Sequence, residues 1–361
     1  MLSRVPGREE LKAAAANGRN ARVRKFMTRG GVELQFTELG FGGAPLGNLY
    51  RPMTEKEARV TLETVWAAGC RYFDTAPLYG LGLSETRLNG FLRPKPRDSY
   101  LISTKVGRLL DLCEPQKRSG QGAFFETPSR RERFDYSYDG VMRSLEFSLE
   151  RLGLDHVDIV YCHDVDVYTH GSKEAAEARI KEFMTGGYRA LDQLRASGAV
   201  KAIGAGINEW EIAEKLARAA DFDMFLLAGR YTLLEQGALT SFLPLCTEKK
   251  IAVVIGGPFN SGILATGVKA DAHYNYGPAP DEVKDRVRRI QQICKSFKVG
   301  LPEAALRFPL GHPAVVSVIA GAQRASEVRR NSAMMGAKLP TGLWRALKAE
   351  KLLREDAPTP H

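Results

Sequence analysis

Four residues with proton chemistry end or follow three successive apolar runs: Asp74 in "RYFDT", Tyr79 in "APLYG" just beyond it, Lys105 in "YLISTKV", and His163 closing "VDIVYCH". Each alone has an ordinary explanation. The carboxylate caps a turn, the phenol stacks on a rim, the lysine stem lies along apolar surface, and the imidazole is a satisfied core group. Together they fit a proton-transfer device. A phenol with a pKa of about 10 is a poor acid or base near neutrality, and an adjacent ammonium favours the phenolate. Lys105 supplies that ammonium. A lysine among apolar residues tends to lose its proton, so it needs a carboxylate partner, and Asp74 is placed to be one. His163 then gives or takes a hydrogen bond beside Tyr79 and orients the reacting oxygen.

For these groups to meet, the strands that carry them must be neighbours. Apolar runs bounded by turn residues cover 38–44, 71–75, 100–106, 157–163, 200–206, 223–229, 251–257 and 315–321. Helical patterns alternate with them: 55–68 opens after Thr54 and stops at Gly69, and 137–152 ends before Gly153. Further helices are predicted near 84–92, 186–197, 209–220, 235–249, 281–298 and 324–335. Eight such βα units predict an α/β fold, a (β/α)8 TIM barrel forming a single domain over 36–357, after a basic extension over 1–35. A doubly wound sheet would carry a G-x-G-x-x-G turn. The pairs Gly40/Gly42, Gly80/Gly82 and Gly204/Gly206 all lack the third glycine. Three long connections, about 107–136, 164–185 and 258–280, each follow a strand and so collect at the C-terminal mouth, where such barrels build their sites.

Composition narrows the function classes. With 44% hydrophobic residues in 361, the chain can bury a large core. Its longest apolar runs, such as "IAVVIGG", fall short of the roughly 20 residues of a membrane span. The segment "LKAAAANGRN" is too polar for a secretory signal, so a cytoplasmic protein without a membrane partner is expected. Five scattered cysteines without a C-x-x-C pair read as free thiols, not as a metal site. Half of the formal charge of +10 lies in residues 1–35, where eight Lys or Arg face three acids. No aromatic-basic interleaving accompanies them, so a solvated arm is expected and a nucleic-acid partner is not.

"FDTAPLYG", "STKVG" and "YCHD", in this order on the second, third and fourth strands, resemble the signature of the aldo-keto reductases, over about 36–357. The resemblance implies a nicotinamide cofactor and a catalytic tetrad of Asp74, Tyr79, Lys105 and His163, in which Tyr79 exchanges a proton with the substrate oxygen while hydride moves to or from carbon. It also implies cofactor contacts at Gly43, at Gly206 and Asn208 in "AIGAGINEW", at Tyr231 in "LLAGRY", and at Gly257, Pro258, Phe259, Asn260 and Gly262 in "IGGPFNSGIL". Gly321, Gln323, Glu327 and Asn331 in "VIAGAQRASEVRRN" complete the set. The chain departs from the pattern at Gly206, Ala228 and Gly256, where Ser, Gln and a stacking Tyr are usual. Glu327 stands where many members carry a basic residue for a 2′-phosphate. A carboxylate accepts from a free ribose 2′-hydroxyl and repels that phosphate, so NAD is expected, with Arg324 leaving room for NADP.

"CHDVDVYTHG", "GAGINEW", "GGPFNSGIL" and "LWRALKAEKLLREDAPTP" further resemble the bacterial aldose 1-dehydrogenases (D-threo-aldose or L-fucose dehydrogenases), with pyridoxal 4-dehydrogenases as close relatives. This implies a small-molecule substrate: the C1 hemiacetal of an aldose of the L-fucose, D-arabinose or L-galactose type, oxidised to a lactone with Tyr79 as proton acceptor. The cyclic hemiacetal of pyridoxal would react identically. Asp164, Tyr168 and Trp210 are the candidate substrate contacts, with Asp166, His170, Arg108 and Phe125 in the same loops. Two alternatives stay open: a broad NADPH-dependent aldehyde reductase, and a cofactor-binding regulatory subunit of the channel β-subunit kind. Oligomeric state and the role of residues 1–35 are not fixed by the sequence.

Overall fold

A computed structural model describes residues 21–360. Eight parallel strands close into a barrel in chain order: β1 (Leu39–Gly42), β2 (Tyr72–Asp74), β3 (Leu101–Val106), β4 (Ile159–His163), β5 (Ala202–Ile207), β6 (Met224–Ala228), β7 (Ala252–Gly256) and β8 (Val315–Ala320). All eight coincide with the apolar runs, trimmed at their ends except that β5 continues one residue further, to Ile207. The runs are continuous because both faces are buried. Tyr72, Leu101, Ile159, Tyr161, Met224, Leu226, Val254 and Ile319 fill the barrel interior. Their neighbours Phe73, Ile102, Val160, Ile203, Phe225 and Val253 face the surrounding helices.

Local signals set most helix ends. The helix Glu55–Ala67 opens on a capping box between Thr54 and Glu57. The helix Tyr138–Leu152 is capped by Ser137 and stops at Gly153, whose φ of 60° is left-handed. The helix expected over 235–249 is shorter, because a 3-10 turn at Gly237–Leu239 and the non-helical Ser241 delay its start to Phe242. Helices Leu301–Arg307 and Thr341–Ala349 add to the predicted set.

The three long connections are more ordered than their length predicts. The first folds back as a hairpin of Arg108–Leu112 with Arg130–Phe134. Most of the second is helical, Val167–His170 and Lys173–Glu182, running through a π-turn at Phe183–Gly187 into the helix Tyr188–Ala196. Lys173–Glu182 buries only Ala176 and Ile180, so its apolar periodicity is faint. The third carries a short helix, Ile263–Thr266, and a small hairpin of His273–Tyr274 with Gly277–Pro278.

The expected division between residues 35 and 36 falls inside a strand. Val23–Met27 pairs antiparallel with Glu33–Thr37, and the hairpin closes the floor of the barrel, with Leu34 and Phe36 packed into the interior cluster. Here Arg24 and Arg29 are anchors, while Arg22 and Lys25 stay exposed as a solvated arm would have them. Arg24 pairs with Glu38 at 2.8 Å and donates to the carbonyls of Val315 and Leu310, while Arg29 donates to the carbonyl of Phe222. Arg4, Arg8, Lys12 and Arg19 lie outside the described residues. Among the described residues no helix is long and apolar enough to cross a membrane, and all five cysteines are free thiols.

Candidate active site

The strand register brings the four titratable groups to one rim. Asp74 pairs with Ser103, Lys105 with Tyr161, and His163 with Gly206. Beyond Asp74 the chain makes a tight turn in which Tyr79 N–H donates to Ala76 O and Gly82 N–H to Pro77 O. There it crosses the turn after β1. A Cβ on Gly80 would sit 2.4 Å from the Gly47 carbonyl oxygen, and Gly80 has a φ of 65°. Two backbones can pass this closely only where neither residue has a side chain. The crossing turns Tyr79 back over the cleft.

Lys105 is the hub. Its Nζ donates to Asp74 Oδ2 at 2.7 Å, to the Thr75 carbonyl at 3.0 Å and to Tyr79 Oη at 3.1 Å, using all three of its protons. Lys105 and Asp74 are both buried. Burial works against the charge on Lys105, yet Asp74 and Tyr79 carry its pKa above the ordinary value. Burial also raises the Asp74 carboxyl, and Lys105 and Ser103 oppose that rise. For Tyr79 burial outweighs Lys105, so the phenol stays above its usual value and keeps its proton at neutral pH. Expectation and structure differ here: Lys105 lowers the Tyr79 pKa, but only against a larger opposing effect of burial. The Tyr79 ring stacks on Phe124 and stands edge-on to His163 with centroids 6.0 Å apart.

Beside His163 lies a second charged cluster. Asp164 adopts a left-handed φ of 50° and is held by Arg108 at 2.6 Å and by Asn208 Nδ2 at 3.0 Å. Its Oδ2 sits 3.2 Å from His163 Nε2. Burial, with Arg108 and Lys105 nearby, holds His163 well below its usual range, so the imidazole is neutral. An ionised Asp164 selects the tautomer with its proton on Nε2. Burial raises the Asp164 carboxyl to about 7; Arg108 opposes this and Asp166 adds to it. Asp166 accepts from the Asn208 backbone, and His170 Nε2 lies 3.0 Å from the Asp164 carbonyl.

The expected cofactor contacts divide. Gly257 is exposed at a φ of 57°, and Gly262 has a φ of 102° with open space where a Cβ would stand. The turn therefore offers bare backbone of the kind that suits phosphate oxygens, with Pro258 and Phe259 packed beneath. Asn260 is structural, joined to Thr232 at 2.6 Å and to the Gly229 carbonyl at 3.0 Å. Gly206 abuts the Lys105 stem, where a Cβ would lie 3.2 Å from Cε. Gly321 is exposed at the end of β8. Gln323 bonds Arg51 and the Leu49 carbonyl, and Glu327 accepts from the Gln323 backbone at 2.8 Å, so this pair also ties β8 to the turn after β1. Asn331 is buried in the wall of a flank cavity of about 600 Å³ between the helices Glu55–Ala67 and Ala325–Gly336.

Three of the expected contacts are packed against the protein. Tyr231 is wholly buried against Phe308 and His312, so no ligand at the mouth can reach its ring. Gly43 is buried directly behind Asp74, donating to its carbonyl, with only 2.6 Å for a Cβ; it supports the tetrad and does not face a ligand. Trp210 packs its indole against Gly237 and the helix-facing core. Tyr168 is at the mouth, its ring 5.8 Å from Tyr276 at the tip of the His273–Pro278 hairpin. Tyr50 and Tyr276 also stand exposed at positive φ. No motif or spacing in the sequence marks them or Ser103 as site residues. The signal for Tyr276 is the two-residue turn Asn275–Tyr276 between short strands.

A closed parallel barrel with a phenol, an ammonium, a carboxylate and a neutral imidazole at its C-terminal rim defines a barrel oxidoreductase. The chain belongs to the aldo/keto reductase family, whose family model matches residues 38–349. It is 41% identical over 331 residues to a D-threo-aldose 1-dehydrogenase from a Pseudomonas species, covering 91% of this chain and 96% of the relative. It is equally 41% identical over 332 residues to a pyridoxal 4-dehydrogenase from Microbacterium luteolum, covering 90% and 96%. In fold it matches the holo form of an aldo-keto reductase from Bacillus halodurans with a TM-score of 0.71 at 23% identity, over 92% of this chain and 97% of that one. The chain is therefore an oxidoreductase that uses a nicotinamide cofactor and acts on CH–OH groups, and the bare Gly257–Gly262 turn at its mouth fits that cofactor's pyrophosphate.

Because the Asp164 carboxyl is raised to about 7, its charge is present above that pH and lost below it. Wild-type kcat/KM should therefore fall as pH drops through about 7, while an Asp164→Asn variant, measured over the same range, should lack that ionisation.

Proposed function

We propose that the chain is an NAD-dependent aldose 1-dehydrogenase that oxidises a C1 hemiacetal hydroxyl to a lactone, with Tyr79 as proton acceptor and His163 orienting the reacting oxygen. The observation that carries the proton step is the Lys105 hub: an ammonium committed to Asp74 and Thr75 still donates to Tyr79 Oη at 3.1 Å. The bound nicotinamide supplies the hydride acceptor. This chain's residues do the rest. Tyr79 takes the hydroxyl proton, and since burial keeps its pKa high, the oxidation should quicken as pH rises and the phenol ionises. The neutral His163, edge-on to the Tyr79 ring, helps position the same oxygen.

For substrate, the relatives at 41% identity point to two cyclic hemiacetals, a sugar and pyridoxal. The buried Arg108–Asp164 pair offers charged hydrogen-bonding to ring hydroxyls, which favours the polyhydroxylated sugar. The tyrosines at positions 50, 168 and 276 offer flat walls for the less polar face of the ring. For the cofactor, Glu327 at the helix start keeps a carboxylate against the Gln323 backbone, which supports NAD over NADP through repulsion of a 2′-phosphate.

The reading is tested by following reduced nicotinamide with L-fucose, D-arabinose, L-galactose and pyridoxal, each with NAD and with NADP. Turnover of an aldose with NAD at the highest kcat/KM is expected. Best turnover of pyridoxal would select the second reading, and a tenfold preference for NADPH in aldehyde reduction would sink the first. Tyr79→Phe should lose about 10²- to 10⁴-fold in kcat while still binding cofactor. Tyr276→Ala should raise KM for the preferred substrate by about tenfold with kcat little changed, as loss of one stacking wall implies; an unchanged KM removes Tyr276 from the substrate site.

A further inference from the structure

The hydrogen bonds of Asp74 continue downward, away from the cleft. Ser103, Tyr72 and Tyr161 lie two residues before Lys105, Asp74 and His163 on β3, β2 and β4. Alternation along a strand aims residues i and i−2 the same way, so these three form the barrel layer directly beneath the tetrad. All three are fully buried, two of them in an otherwise apolar cluster with Leu101, Ile159 and Met224. Hydroxyls there are costly unless paired.

They pair in a line that ends on the carboxylate. Ser103 Oγ is 2.8 Å from Asp74 Oδ1, Tyr72 Oη is 3.0 Å from Ser103 Oγ, and Tyr161 Oη is 3.3 Å from Tyr72 Oη. An ionised carboxylate only accepts, so Ser103 donates to Asp74. Having spent its proton, Ser103 accepts from Tyr72, and Tyr72 in turn accepts from Tyr161. Every dipole then points at Asp74, and chained hydrogen bonds polarise one another. Asp74 is thus met by Lys105 on one oxygen and by this chain on the other.

A buried ion pair has a neutral alternative in which Lys105 passes one proton to Asp74, with no proton exchanged with solvent. Burial favours that neutral pair. In it, Tyr79 would face an amine instead of an ammonium. We propose that Ser103, Tyr72 and Tyr161 are a positioning relay that holds the Asp74–Lys105 pair in its ionic form and so keeps a positive charge against Tyr79. The inference rests on the reading of Tyr79 as proton acceptor. The charged and titratable groups facing the pair are Tyr79 from the turn, and Tyr72 and Tyr161 from β2 and β4, with Asp164 and His163 next along the rim.

The test is the ionisation of Tyr79, read in two ways: by ultraviolet tyrosinate difference titration, subtracting a Tyr79→Phe background, and by the pH dependence of dehydrogenation. Ser103→Ala should move both midpoints to higher pH by about 0.5 unit or more, as loss of one donor to a buried carboxylate implies. Tyr72→Phe should move them less and Tyr161→Phe least, while Ser103→Thr should restore the wild-type value. KM should stay within about twofold, since none of the three touches the cleft. Unmoved tyrosinate midpoints in both Ser103→Ala and Tyr72→Phe overturn the relay. Tyr72→Phe removes one hydroxyl and leaves the ring, so it decides the matter alone if Ser103→Ala does not fold. A tyrosinate midpoint that moves without the activity profile following it supports the relay and instead removes Tyr79 from its proposed role.

Discussion

The site depends on a lysine ammonium kept charged inside a barrel that would otherwise neutralise it. Lys105 is fully buried, and every proton on its nitrogen has an assigned acceptor. Two of those acceptors, Asp74 and the Thr75 carbonyl, belong to the end of β2, and the third is the phenol carried by the turn that follows. The position of Tyr79 is therefore a consequence of where the ammonium can be satisfied. The surrounding packing serves the same end: Gly43 lets β1 lie against the Asp74 carbonyl, and Gly47 and Gly80 let two turns cross.

The Arg108–Asp164 pair repeats the principle with a different outcome. It too is buried, but it borders the imidazole, and Arg108 is shared with Glu132 from the hairpin that extends β3. In the proposed function Lys105 and Asp74 set the proton chemistry, whereas this pair borders His163 and leaves charged oxygen and nitrogen atoms beside the cleft. The rim thus contains two buried ion pairs, one on each side of the imidazole. They are separated by the neutral imidazole that both border.

Much of this was legible in the sequence, for physical reasons. Strands buried on both faces read as unbroken apolar runs, and polar residues that interrupt such runs at their ends have few purely structural uses, so barrel and tetrad could be read together. The floor hairpin was not legible: "VRKFM" alternates exposed residues with half-buried ones, and its arginines resemble a solvated arm until the carbonyls they bind are seen. The hydroxyl layer was hidden because Tyr72, Ser103 and Tyr161 look like ordinary strand residues, and only the register shows that their oxygens meet. Tyr231 misled because a motif position specifies a place along the chain and not the direction of a side chain; here the ring turns into the core. Tyr276 depends on a hairpin in a connection whose length alone implied an irregular loop.

The central claim, that the Lys105–Asp74 ion pair is both the electrostatic centre of the site and a constraint on the fold, is tested most directly by measuring unfolding free energy and formation of reduced nicotinamide for Lys105→Met alone and combined with Asp74→Asn. Removing Lys105 leaves a buried carboxylate uncompensated, so the single variant should lose about 3–5 kcal/mol and its activity. The double variant should recover much of the stability while remaining inactive. A single variant as stable as the wild type, or one that still reduces the nicotinamide at a comparable rate, would contradict the account.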